Sequence, residues 1–337
     1  MILNPFALTL LFTAAVSLLL MVGAAGAAVM SHRQLERCEG ADEKAQAESR
    51  LHLAFLLLVT AFMLRLASWP LFYILLQSLV PLVPGAMCIF GVTRVMPGFL
   101  TLIQTLKPTA FFLIGGWLIV HRIDLSLKTR SLARASSWLL AWVSAVAALD
   151  ALAEIAFVLD FTPPGVAVSC CTAMGDIVVP SAPMLPLPLF GDRYNTFITA
   201  GYHGFSLGLA GLIALLLWRM RGKEDRLARR GVLVWPAVLA AVTGVVAYVA
   251  FGESLGPRLM GLPDHHCLYC MLQYRPVSIL IVALLILGLF CAIWPAILND
   301  TIATDEVRSR LPGVIRKLYQ WAFFCVLASW LLASTLS

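Results

Sequence analysis

The stretch "PVSILIVALLILGLFCAIWPAIL", residues 276–298, holds no Asp, Glu, Lys, Arg or His. About 20 mainly apolar residues suffice for a helix to cross a bilayer core. Lipid leaves unpaired backbone groups unsatisfied, so such a run must be helical. Seven further runs of this kind lie at 5–30, 51–79, 99–120, 138–160, 197–218, 231–252 and 314–336. None alternates apolar and polar residues as the strands of a membrane barrel do. The chain is 61% hydrophobic and only 12% charged, with a mean hydropathy of +0.90. Soluble domains carry about twice that charge. The expectation is an all-α, polytopic membrane bundle of eight helices, a single transmembrane domain over 1–337 whose first partner is the lipid bilayer. The first run has no Lys or Arg before it and is long enough to span, so it reads as a retained helix rather than a signal peptide. The net charge of +6 sits in short loops and does not point to nucleic acid.

Lys and Arg collect on the cytoplasmic side of membrane proteins. Eighteen of them fall at 31–50, 121–137, 219–230 and from 299 to Lys317, whereas the alternate connections hold only Arg94, Arg193, Arg258 and Arg275. Both termini are therefore expected outside, in a bacterial-type inner membrane, with the loops 80–98, 161–196 and 253–275 on the outer face. Each outer loop carries cysteine: Cys88 in "PGAMCIFGV", Cys170 and Cys171 in "VSCCTAMGD", and Cys267 and Cys270 in "LPDHHCLYCMLQYRP". Cys38 falls on the inner side, and Cys291 and Cys325 fall within spanning helices. Disulfides persist on the outer side.

Three chemistries compete for these residues. Cys267 and Cys270 have the spacing of redox-active pairs, in which two sulfurs meet and part. Adjacent cysteines such as Cys170 and Cys171 rarely bond each other, because the small ring strains disulfide geometry; one of them is expected to pair with Cys88. Alternatively, Cys267, Cys270, Cys88 and one of Cys170 or Cys171 could close a tetrahedral sulfur site for zinc, with His265 or His266 as alternative ligands. Met87, Met96, Met174, Met260 and Met271 lie in the same loops, and soft sulfur favours copper(I). Third, Asp264–Cys267 spells a tetrapeptide that resembles the signature of the protein palmitoyltransferases. That family surrounds it with a zinc-bound Cys/His-rich domain on the cytoplasmic side, which this sequence does not have.

The segment "CLYCMLQYRP" resembles the quinone-coupled, disulfide-forming membrane proteins of the DsbB type, in which Cys-x-x-Cys is followed by Gln or Glu and Arg. Cys267, Cys270, Gln273 and Arg275 match that pattern over about ten residues. Here Arg275 stands one place further along, and that family has four helices rather than eight. The vitamin K epoxide reductase family likewise couples such a pair to loop cysteines and a quinone. The resemblance implies a thiol–disulfide oxidoreductase that passes electrons between a soluble thioredoxin-like protein and a quinone.

Ionisable groups within spanning helices mark function by default. Arg65, Lys107, Asp150 and Glu154 are such groups, and Asp150 and Glu154 are one turn apart on one helix face. With Arg275 they are the candidate cofactor-binding residues, for a quinone carbonyl polarised by a basic group or for haem propionates; structural ion pairs are the plain alternative. His52 and His121 could hold a haem or cap helices, and His203 is a candidate ligand or proton carrier. A metal- or haem-binding subunit of a larger membrane assembly is the second functional reading.

Overall fold

The computed structural model describes residues 4–35, 41–127, 133–168, 193–220, 230–262, 265–302, 307 and 310–336. Among them eight helices are long and apolar enough to cross a membrane, and no strand occurs. The protein is an all-α, polytopic integral membrane bundle. Its spanning helices are α1 (Pro5–Leu35), α2 (Ala41–Leu79), α4 (Pro97–Leu125), α5 (Ala133–Asp160), α6 (Tyr194–Met220), α7 (Arg230–Ala250), α10 (Val277–Thr301) and α11 (Leu311–Leu336); the short helices are α3 (Ile89–Thr93), α8 (Gly256–Met260) and α9 (Leu268–Tyr274). All eight expected runs are helical. The charged connection 31–50 is largely a continuation of α1 and α2.

Contacts group the chain into two compact units: Met1–Ile119 with Ser136–Val168, and Val120–Ala135 with Ser169–Ser337. In lipid, apolar side chains gain little by leaving their surroundings, so helices associate through close packing and polar bonds. The first unit shows this. Small residues Ala24, Ala54, Ala61, Ala110 and Ala147 let α1, α2, α4 and α5 approach around Phe62, Ile114 and Trp117. Phe62 and Trp117 meet edge to face at 5.3 Å between ring centroids, a favoured aromatic geometry. Asn4 caps α1 by accepting from Phe6 N at 2.9 Å and ties it to α2 by donating to Ser78 Oγ at 2.9 Å. After α2, Gly85 takes φ +77°, and a Cβ there would lie 2.5 Å from Val168 O. That close approach lets Val168 N donate to Pro84 O at 2.9 Å, so the segment after α5 docks on the segment before Cys88.

In the second unit α6 packs on α7, α7 on α10, α10 on α11 and α11 back on α6, a closed ring of four spanning helices. Ser329 of α11 donates to Ile281 O of α10 at 2.8 Å. Sequence patterning ends the sixth helix at 252; the chain instead stays helical through a π turn at Phe251–Leu255 and then α8. The Gly256 N–H closes the π turn on Phe251 O. A Cβ at 256 would lie 2.2 Å from that oxygen, so glycine is required sterically. Much of the expected loop 253–275 is thus helical, with a turn at Gly261 (φ +70°).

Candidate functional site

The second unit carries the Cys-x-x-Cys pair. Cys267 is the extended residue that opens α9, and Cys270 lies in its first turn. Three residues apart at a helix start, they face the same way, and their Sγ atoms lie within 4.8 Å of one another. Both are buried. Pro276 separates α9 from α10 and heads α10, where a proline's missing N–H costs nothing.

Three contacts seat α9 on the end of the preceding helix. Arg275 Nε donates to Leu259 O at 2.9 Å. His266 Nδ1 bonds Gly252 O of the π turn at 3.2 Å. Met271 Sδ lies 3.4 Å from where a Cβ on Gly256 would stand. Because a carbonyl only accepts, the His266 contact puts a proton on Nδ1 and leaves Nε2 as the basic, ligand-capable nitrogen of the neutral ring. Arg275 has its Nε engaged with backbone, so it holds α9 in place.

Cys88 belongs to the first unit. It is buried and extended (φ −152°, ψ −179°) at the start of α3, where its carbonyl accepts from Gly91 N at 3.0 Å. Cys170 and Cys171 lie outside the described residues.

The four membrane charges form one network inside the first unit. Lys107 and Asp150 stand ten residues from the Pro97 end of α4 and the Asp160 end of α5, about 15 Å along each helix and so at mid-bilayer depth. Lys107 Nζ donates to Ser68 Oγ at 3.0 Å, to Asp150 Oδ2 at 3.4 Å and to Glu154 Oε1. Its three N–H groups therefore each have an acceptor, and it also lies 5.3 Å from the centroid of the Phe72 ring. Arg65 uses one nitrogen, Nη2, for both carboxylates: Glu154 Oε2 at 2.6 Å and Asp150 Oδ2. Arg65 Nε and Nη1 and Asp150 Oδ1 have no hydrogen-bond partner among the described residues. All four side chains are at most 1% exposed. Two cations and two anions leave no net charge, the condition under which such groups tolerate a low-dielectric site. Sequence reading named these four; it missed Ser68, a lone polar residue one turn after Arg65 that also donates to Arg65 O at 2.8 Å.

His203 Nδ1 accepts from Trp330 Nε1 at 2.8 Å, a polar tie between α6 and α11. His52 lies on α2 and His121 on α4.

Comparison with known proteins adds no relative: no family model, curated protein or solved structure matches the chain.

Proposed function

We propose that this protein is a membrane thiol–disulfide oxidoreductase whose primary redox pair is Cys267 and Cys270. The observation that supports this reading is the placing of the two sulfurs: buried, within 4.8 Å, and on a short helix seated against α8. A modest side-chain rotation brings such sulfurs to bonding distance. In the oxidised pair, a thiolate of a soluble thioredoxin-like partner attacks one sulfur and forms a mixed disulfide. The partner's second thiolate resolves it, leaving a disulfide in the partner and two thiols here. Two electrons and two protons then leave through a second pair, Cys88 with Cys170 or Cys171, whose meeting with Cys267 and Cys270 is part of the proposal. A quinone is the proposed final acceptor. Of the two membrane cations only Arg65 keeps donors unengaged, so Arg65 rather than Lys107 is the residue to polarise its carbonyl. The cysteine-bearing segments face the outer side of a bacterial inner membrane in this reading, following the distribution of Lys and Arg.

Acid quenching and alkylation, followed by peptide mass spectrometry, tests the core of the proposal. A Cys267–Cys270 disulfide should be recovered from membranes, vanish with dithiothreitol and return with a quinone. Recovery of both residues as thiols under every condition would sink it.

A second reading rests on the same two sulfurs. Cys267 and Cys270, within 4.8 Å of one another, are proposed as donors for zinc or copper, with His265 and His266 as the candidate histidine ligands, in a metal-binding subunit of a larger assembly. Metal analysis of the purified protein, with Cys267→Ser as control, decides between them: a stoichiometric ion lost in the variant favours metal.

A further inference from the structure

The crossing of α10 and α11 in the second unit contains two cysteines that the reading above leaves unused. Cys291 and Cys325 are both buried thiols, one on each helix. The helices run in opposite directions and approach closely: a Cβ on Gly288 would lie 2.7 Å from Val326 Cγ2, 3.0 Å from Val326 N and 3.3 Å from Cys325 Cβ. Cys291 follows Gly288 by three residues, so it shares that helix face one turn on. Ala292 and Ala322, both fully buried, add no bulk at the same level. Cys325 faces Gly288 and Cys291 follows one turn on, so the two thiols stand about one helical turn apart at the crossing. Cys291 is fourteen residues into α10, about 21 Å along its axis, so this pair is separate from Cys267 and Cys270.

The geometry points to a soft-metal site: we infer that Cys291 and Cys325 together bind a divalent soft cation in two-coordinate fashion, bridging α10 and α11. Charge selects the ion class. Among the described residues of this unit no Lys or Arg is buried, and an unpaired charge in an apolar interior is costly. Two thiolates around a divalent ion make a neutral complex; around copper(I) they leave a net negative charge. A neutral species also explains entry. With mercury(II) chloride, two Hg–Cl bonds break and two Hg–S bonds form, two protons and two chlorides leave to water, and no atom changes oxidation state.

The test uses the full-length protein in membranes, carrying Cys267→Ser and Cys270→Ser so that the redox pair cannot itself take an ion on two sulfurs, with accessible thiols first blocked by an impermeant maleimide. After mercury(II) chloride is added, this parent protein should hold one ion per chain on two sulfurs by X-ray absorption and release two protons. Cys291→Ala and Cys325→Ala should each weaken retention by about 100-fold or more, the loss of a chelating second site, and leave one-sulfur coordination. Parallel Ser variants guard against a folding defect, and the Cys267–Cys270 trapping assay, run on untreated protein with both cysteines intact, reports separately on the redox reading. Two-sulfur coordination surviving in either single variant overturns the inference, as does copper(I) binding as tightly as mercury(II).

Discussion

Glu154 accepts from both Arg65 and Lys107, and the consequence of removing it is set by what stays behind. Glu154→Leu leaves two buried cations to share Asp150. Breaking a buried pair from one side costs about 3–5 kcal/mol, whereas replacing both partners with apolar residues is often neutral. Glu154→Leu should therefore lower the unfolding midpoint in detergent sharply, and Lys107→Met with Glu154→Leu should recover most of it. If the double variant is as unstable as the single one, the network does more than balance charge. At this scale the sequence was informative. Four charged residues in apolar runs, two of them one turn apart, announce a cluster before any coordinates exist. Which donors remain unengaged was not legible, because it depends on the rotation of the Arg65 guanidinium, and no residue pattern encodes that.

At the scale of elements, the π turn at Phe251–Leu255 governs where the cysteine pair sits. Its Gly252 carbonyl receives His266, and Gly256 gives both the turn and Met271 their room. Gly256→Ala would press a methyl group onto Phe251 O. The variant should lose the i+5 closure and loosen α9, and Cys270 should then react at least about tenfold faster with a small maleimide, the equivalent of roughly 1.4 kcal/mol of lost protection. An unchanged rate would show that the Arg275 bond to Leu259 O holds α9 without help from the π turn. Helix positions were readable from hydropathy because lipid imposes one length and one secondary structure. The π turn was not: one added residue in a helical turn leaves composition and periodicity almost untouched, so the sixth helix was expected to stop at 252 when it runs on to Met260.

For the whole molecule, the distribution of Lys and Arg predicts sidedness, and single cysteines can check it. Tyr274→Cys and Val166→Cys, at exposed positions, should be labelled by an impermeant maleimide added to intact spheroplasts. Labelling only after lysis would reverse the topology and place the redox pair in a reducing compartment. The division into two units was hidden from the sequence, since eight similar apolar runs give no sign of which neighbours pack together. The balanced charge network also constrains how the protein is made. Arg65, Lys107 and the two carboxylates reside on three successive long helices, and a charge at mid-membrane disfavours partitioning of any one alone by about 2.5–3.5 kcal/mol. A ribosome-bound chain halted before α5 emerges would present two cations with no anion to meet them. Integration of α2 and α4 into lipid should therefore become secure only once α5 arrives, which makes the third charged helix the step that commits this half of the nascent polypeptide to the bilayer.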